Sequence, residues 1–264
     1  MNRNNESLEN ITRKNSSDKN KIKHKIAIMS GKGGVGKSFV SSLIASYLSR
    51  KGHKVGLLDA DITGPSIPKI FGLKDKRPSL QENSLLPVLT KNGIKIMSVN
   101  LLLPNEEEAV IWRGPLISNA ILQFFNDVYW GELDYLLIDL PPGTSDASLT
   151  VLQKLAINGV IMVFTPQELT NMIVKKAINM VEKLDKKLIA LVENMSYFET
   201  PGSGEKINIF GASKLEEMKN LTNCKLSISI PLRPHFTEYL DKGNIEELEY
   251  QPFEGFIESM EKLY

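Results

Sequence analysis

The stretch Ser30 to Ser38, SGKGGVGKS, sets Gly31, four intervening residues, Gly36, Lys37 and Ser38 in the spacing of a phosphate-binding loop. Gly31, Gly33, Gly34 and Gly36 permit a turn whose backbone N–H groups face inward on phosphate oxygens, with Lys32 and Val35 between them. A helix starting here adds the partial positive charge of its N-terminus. Lys37 then neutralises β- and γ-phosphates and the Ser38 hydroxyl reaches Mg²⁺, so the stretch predicts nucleotide binding.

Carboxylates stand at the ends of two other apolar runs. In LLDAD, Asp59 and Asp61 are two residues apart and share one side if the strand geometry persists. Beside a phosphate loop, Asp59 suits holding Mg²⁺ through water and Asp61 suits orienting the attacking water. In DYLLIDLPPGTSD the apolar run ends at Asp139, aimed at the outer shell of the metal. Pro141, Pro142 and Gly143 make a stiff turn that suits a switch loop, and Asp146 is expected to cap the helix that follows. Asn194 ends another apolar run, where an Asn serves either as a turn residue or, as in related P-loop folds, as a reader of the purine edge. The segment PLRP, with Arg233, stands near the base on the same architectural ground.

These positions need a scaffold, and the chain alternates short apolar runs with amphipathic segments from Lys25 onward. KIAIMS, KVGLLDAD, DYLLIDLP, GVIMVFTP, KLIALVENM and KLSISIPL are too short for buried helices and rich in Ile, Val and Leu, as strands buried on both faces are. Val40, Leu43, Ile44, Tyr47 and Leu48 repeat with helical period, and Gly52 stands at a helix C′ position. GPLISNAILQFFNDVYW and TNMIVKKAINMVEKL supply two more helices, the first with Pro115 near its start. The order predicts an α/β, doubly wound, mostly parallel sheet with ligands at the carboxyl ends of its strands. Asn92-Gly93 between two apolar runs signals a hairpin that departs from it.

With 264 residues and 42% hydrophobic content, one domain over 25–264 is expected, preceded by a flexible polar tail over 1–24. A net charge of +1 gives no global argument for nucleic acid or membrane as partner. No apolar run approaches the roughly 18 residues of a membrane helix, and a cytoplasmic protein is expected. Cys224 is the single cysteine and reads as a small buried residue; His24, His53 and His235 have no metal-ligand spacing. The terminal stretch FEGFIESMEKLY forms an apolar stripe of Phe253, Phe256, Ile257 and Met260 with an acidic opposite face, so it should pack on the body rather than on anionic lipid.

The string KGGVGKS looks like the deviant Walker A motif of the class that includes the Min-system and ParA partition ATPases. Together SGKGGVGKS, LDADITGPSIP, WRGP (112–115), DLPPGTSD, TPQE (165–168) and ENMSYF resemble the Mrp/ApbC family of ATP-dependent iron–sulfur cluster carriers, in order over about residues 25–243. That resemblance implies slow ATP hydrolysis, a homodimer in which Lys32 reaches the partner's phosphates, and a cluster held between subunits for transfer to apoproteins. The family's loop after ENMSYF usually carries two cysteines as cluster ligands; here those positions are Thr200 and Ser203, while Pro201, Gly204 and Ile209-Phe210-Gly211 keep their places. Thiolates are the soft ligands that iron–sulfur clusters need, and a Ser or Thr hydroxyl is a hard, weakly acidic one. No Fe–S ligand is therefore found at the expected place, and a nucleotide-switched assembly or positioning ATPase without a cluster is the alternative.

Overall fold

A computed structural model describes residues 20–62, 64, 66–81, 84–102, 114–200 and 202–264. Its elements are β1 Lys21–Ser30, α1 Lys37–Arg50, β2 Val55–Asp59, α2 Ile67–Ile70, β3 Ser79–Gln81, β4 Ser84–Leu86, β5 Val88–Leu89, β6 Lys95–Ser98, α3 Gly114–Asp127 and β7 Glu132–Asp139. They continue with α4 Asp146–Lys154, β8 Gly159–Phe164, α5 Glu168–Lys183, β9 Leu188–Glu193, β10 Phe198–Glu199, β11 Lys206–Ile207, α6 Leu215–Thr222, β12 Ser227–Ser229, α7 Pro234–Asp241 and α8 Gln251–Glu261.

Eight strands form one sheet in the order β12, β9, β8, β1, β7, β2, β6, β5. All its pairings are parallel except that of β5 with β6. The six apolar runs are six of the parallel strands, and the exception is the hairpin signalled by Asn92-Gly93, where Gly93 takes φ +81° and Thr90 N–H donates to Ile94. The chain runs one way along the sheet from β1 and later the other way, so the crevice beyond β1 is the switch point where such folds take ligands.

Two apolar layers cover the sheet. On one face Val40, Leu43, Ile44, Tyr47 and Leu48 of α1 pack with Phe236 of α7 and with Phe253, Phe256, Ile257 and Met260 of α8, so the terminal stripe does close on the body. On the other, α3, α4 and α5 enclose Trp130, Leu136, Ile138 and Met162, with Cys224 at the margin. Each such side chain contributes about 1.5–3 kcal/mol when taken out of water, and the strands are fixed in register by having both faces covered. Among the described residues no helix is long and apolar enough to cross a membrane.

Two expectations are corrected. The first strand begins at Lys21, inside the span assigned to the tail: Lys23 pairs with Asp134 at 2.7 Å, and the backbone of Lys21 bonds Gly131. An alternation of Lys with Ile and His hides an edge extension that β7 completes. Ser145, not Asp146, caps α4, its hydroxyl accepting from Ser148 N–H, while Asp146 adds its charge to the first turn. His24 and His53 pack as aromatic rings against Tyr135, as packing residues should. Residues 1–19, Thr63, Pro65, Trp112, Arg113, Pro201 and the Glu168 side chain lie outside the described residues.

Candidate functional site

The phosphate loop spans the gap between the end of β1 and the start of α1. Gly31 approaches α5 so closely that a Cβ there would meet Val174 N at 2.8 Å, which excludes any other residue. Gly36 precedes α1 at φ +81°, and a Cβ there would lie 2.2 Å from Asn194 Nδ2. No side chain caps α1, so its first N–H groups remain available to an anion. The loop lines a cavity of about 320 Å³ together with Asp61, Pro142, Ile70 and Leu240.

Parallel pairing brings the acidic strand ends together. Asp59 of β2 lies in register with Asp139 of β7, which lies in register with Ile28 of β1. Both carboxyl groups are fully buried. Ser38 Oγ donates to Asp139 Oδ2 at 2.6 Å, and Lys37 Nζ stands 2.9 Å from Asp139 Oδ1. Asp59 receives Ser98 Oγ at 3.1 Å and the Asp61 backbone N–H at 3.3 Å. Gly143 N–H, in the stiff turn after β7, is bonded to Ser30 O and so is held against the loop.

This arrangement fits nucleotide and cation. Lys37 is only 6% exposed, yet its ammonium and Asp139 Oδ1 form an ion pair without the alignment of a hydrogen bond, leaving both atoms unsatisfied together with Ser30 Oγ. A buried ammonium with three donors and no acceptor is a costly feature that phosphate oxygens at the loop would relieve. No three His, Cys, Asp or Glu side chains converge as a metal cage among the described residues. A cation here would rest on the Ser38 hydroxyl, phosphate and water, in the manner of Mg²⁺.

Burial raises the Asp59 carboxyl to about 8 from its ordinary 3.8, with the charge of Asp139 adding and Lys37 and Ser98 opposing. The folded chain therefore keeps a proton that the unfolded chain gives up above pH 3.8, and the associated stability is lost as pH rises toward 8. Thermal midpoints of the nucleotide-free protein should fall between pH 6 and 8, and the slope should flatten in Asp59→Asn. Parallel slopes for the two proteins would assign the dependence to other groups.

Most of the residues singled out from the sequence meet here. Gly33, Gly34, Val35, Gly36, Lys37, Ser38 and the exposed Lys32 line the cavity with Asp61, while Asp59 and Asp139 stand behind Lys37. Gly31 packs under the loop. Asn194 touches it from behind, its Nδ2 donating to Val35 O at 2.9 Å. Arg233 is engaged elsewhere: it pairs with Glu199 at 2.6 Å, its guanidinium lies 5.4 Å from the Tyr250 ring, and it does not line the cavity. Ser98 was missed, although its place at the end of a strand beside β2 follows from the sheet order. Ile70 and Leu240 carry no sequence signal, being ordinary apolar positions of α2 and α7.

The Thr200 and Ser203 positions lie beyond β9, in the turn joining β10 and β11. Thr200 N–H donates to Glu205 O at 2.9 Å, Gly204 N–H to Thr200 O at 3.0 Å, and Glu205 N–H to Ser203 Oγ at 3.3 Å. Thr200 Oγ1 is buried without a hydrogen-bond partner among the described residues, and Ser203 is exposed. Cys224 is buried after α6, where burial pushes its thiol up and its Sγ lies 3.5 Å from Leu226 O.

A strand, a glycine loop, a helix with an unused N-terminus, and a Lys–Ser–Asp constellation at the switch point of a parallel sheet define a P-loop NTPase. The family described as ParA, NUBPL iron-transfer P-loop NTPase matches residues 21–263, and the chain belongs to it. It is 48% identical over 224 residues to the iron-sulfur cluster carrier protein of Methanocaldococcus jannaschii, covering 84% of this chain and 77% of that protein. It is 45% identical over 233 residues to the iron-sulfur cluster carrier protein of Clostridium perfringens, covering 86% and 82%. Among solved structures it resembles the nucleotide-binding protein from Archaeoglobus fulgidus in complex with ADP, with TM-score 0.81, 45% identity, and coverage of 93% and 96%.

Proposed function

We propose that this protein is an ATP-binding and ATP-hydrolysing homodimer that serves the transfer of iron–sulfur clusters to apoproteins. The observation that carries the nucleotide half is the buried Lys37 ammonium, paired by charge with Asp139 but without a hydrogen bond, at a loop that opens on a cavity. The cluster half rests on kinship with proteins named as iron-sulfur cluster carriers.

In this reading the N–H groups from Gly33 to Ser38 cradle the phosphates, and Lys37 turns from Asp139 to the β- and γ-phosphates. Ser38, with Asp59 and Asp139 behind it, holds Mg²⁺, which when bound neutralises charge developing on the transferred phosphoryl group. Asp61, on the cavity wall, orients the attacking water, while the Gly143 amide, bonded to Ser30 O, holds the turn after β7 against the loop instead of reaching the γ-phosphate. Asn194, buried with its amide donating to Val35 O, braces the loop from behind instead of reading the base, and Lys32, exposed on the loop, serves the partner's phosphates in the dimer.

A second reading is favoured by one specific observation. The ligand positions of the family's cluster loop are Thr200 and Ser203, so the chain is then a nucleotide-switched assembly factor that holds no cluster in that loop. Both readings share the ATP-driven dimer, which one pair of measurements tests. Lys32→Ala is expected to leave ATP affinity within about two-fold while lowering turnover at least about ten-fold, with less dimer in sedimentation velocity with ATP. Wild-type protein that neither hydrolyses ATP nor sediments as a dimer with it would refute the proposal.

A further inference from the structure

The hairpin that carries Thr200 and Ser203 is an excursion of about sixteen residues, 197–212, between the end of β9 and the start of α6. Most of its residues from Gly202 to Gly211 are exposed, among them Ile207 at 46% and Ile209 at 53%. Such a segment has little core of its own to fix its position, so its two ends must do so.

One side chain grips both. Glu193, the last residue of β9, is fully buried. Its Oε2 accepts from Ser196 Oγ at 2.5 Å, on the outgoing arm, and from Ser213 Oγ at 2.7 Å, on the returning arm. Its Oε1 accepts from the backbone N–H of Lys214 at 2.6 Å, again on the returning arm. Ser229 of β12 adds a longer contact to Oε2 at 3.5 Å. A carboxylate is an acceptor-only group, and this one is supplied with donors from three segments far apart in sequence.

The next residue, Asn194, grips the phosphate loop. Its Nδ2 donates to Val35 O at 2.9 Å, the position of Gly36 leaves no room for a Cβ beside it, and its backbone N–H is tied to Phe164 O at 2.8 Å. One peptide link therefore joins the contact with the phosphate loop to the clamp on the neck of the hairpin. We propose that Glu193 is a positioning residue: through Glu193-Asn194 a change at the phosphate loop on nucleotide binding is passed to the hairpin that bears Thr200 and Ser203. The proposal rests on the nucleotide reading of the loop and adds the part of the chain that answers to it.

Hydrogen exchange of residues 197–212 is measured with and without ADP, alongside ADP affinity by titration calorimetry. Wild-type protein should bind ADP and change hairpin exchange by a factor of about three or more. Glu193→Gln keeps the shape but replaces two lone pairs with N–H donors facing other donors, so ADP affinity should stay within about two-fold. Its hairpin should exchange roughly ten-fold faster and no longer respond to ADP. Ser213→Ala, at an exposed position, removes only one of the donors to Glu193, should halve the response, and carries the test should Glu193→Gln not fold. A merely structural role would lower stability and leave the ADP response in place. Retention of that response in both variants, or a wild-type hairpin indifferent to bound ADP, overturns the proposal. Absence of ADP binding to wild type refutes instead the nucleotide reading, and is told apart because in that case there is no affinity to compare.

Discussion

Lys37→Ala should abolish measurable ATP binding and, independently, lower the stability of the nucleotide-free protein. The first effect follows from charge: hydrogen bonds from an ammonium to phosphate oxygens contribute about 1.5–3 kcal/mol each, and two of them make the loss at least about a hundred-fold in affinity. The second follows from what Lys37 leaves behind. Asp139 is fully buried and Lys37 Nζ stands 2.9 Å from it, so alanine strands a carboxylate whose side-chain partner among the described residues is then Ser38 Oγ at 2.6 Å. Removing one partner of a buried pair costs about 3–5 kcal/mol, which thermal unfolding without nucleotide would register. Adding Asp139→Asn should recover much of that stability and none of the binding. Unchanged ATP affinity in Lys37→Ala would sink the assignment of the loop, and an unchanged thermal midpoint would show that the pair contributes nothing to the resting fold.

How far this site could be read before the fold was known depends on the range of each signal. The loop from Gly31 to Ser38 is a contiguous string whose glycine spacing dictates its own geometry, and it was legible entire. Asp59, Asp61 and Asp139 were legible because a carboxylate ending an apolar run has one place to go in a parallel sheet, the carboxyl edge where the register then paired Asp59 with Asp139. Their common burial was not legible, since it needs Ser98 and the layer over β6, and with it the rise of Asp59 to about 8. Arg233 shows the other limit. The PLRP segment does lead into α7 near the cavity, yet the side chain turns to Glu199 on β10, an acid 34 residues away that no local pattern links to it. The start of β1 at Lys21 failed for the same reason: its Lys and His alternate with Ile, a pattern that only the partner strand β7 makes into an edge. The Glu193 clamp combines both cases, since Ser196 lies within one turn of sequence while Ser213 and Lys214 arrive from beyond the hairpin.

The largest chemical effect is expected at the hairpin itself. Anaerobic reconstitution with iron and sulfide should leave wild-type protein at background in the charge-transfer region of the spectrum, and Thr200→Cys/Ser203→Cys should acquire a stable cluster. The hairpin already has a folded frame: Thr200 and Ser203 lie in one turn, closed by Thr200 N–H to Glu205 O and Gly204 N–H to Thr200 O, in which Gly202 and Gly204 take φ +89° and +69°. Thr200 Oγ1 is buried with no hydrogen-bond partner among the described residues to lose, which makes its replacement by a thiol inexpensive, and Ser203 is exposed. Each single variant should load poorly, because one thiolate per subunit leaves a dimer with half of a four-ligand set. Cys224 should not substitute for either, being buried behind α6 with its thiol pushed up by desolvation and thus poor in the thiolate form that iron requires. A wild-type cluster that disappears in Cys224→Ser would reverse that assignment and make the buried cysteine the ligand. A wild-type cluster that survives Cys224→Ser would require hydroxyl or borrowed ligands. Background in wild type with loading in the double variant would mean that the hairpin retains the frame of a cluster site and that its donor atoms at positions 200 and 203 decide whether a cluster is held.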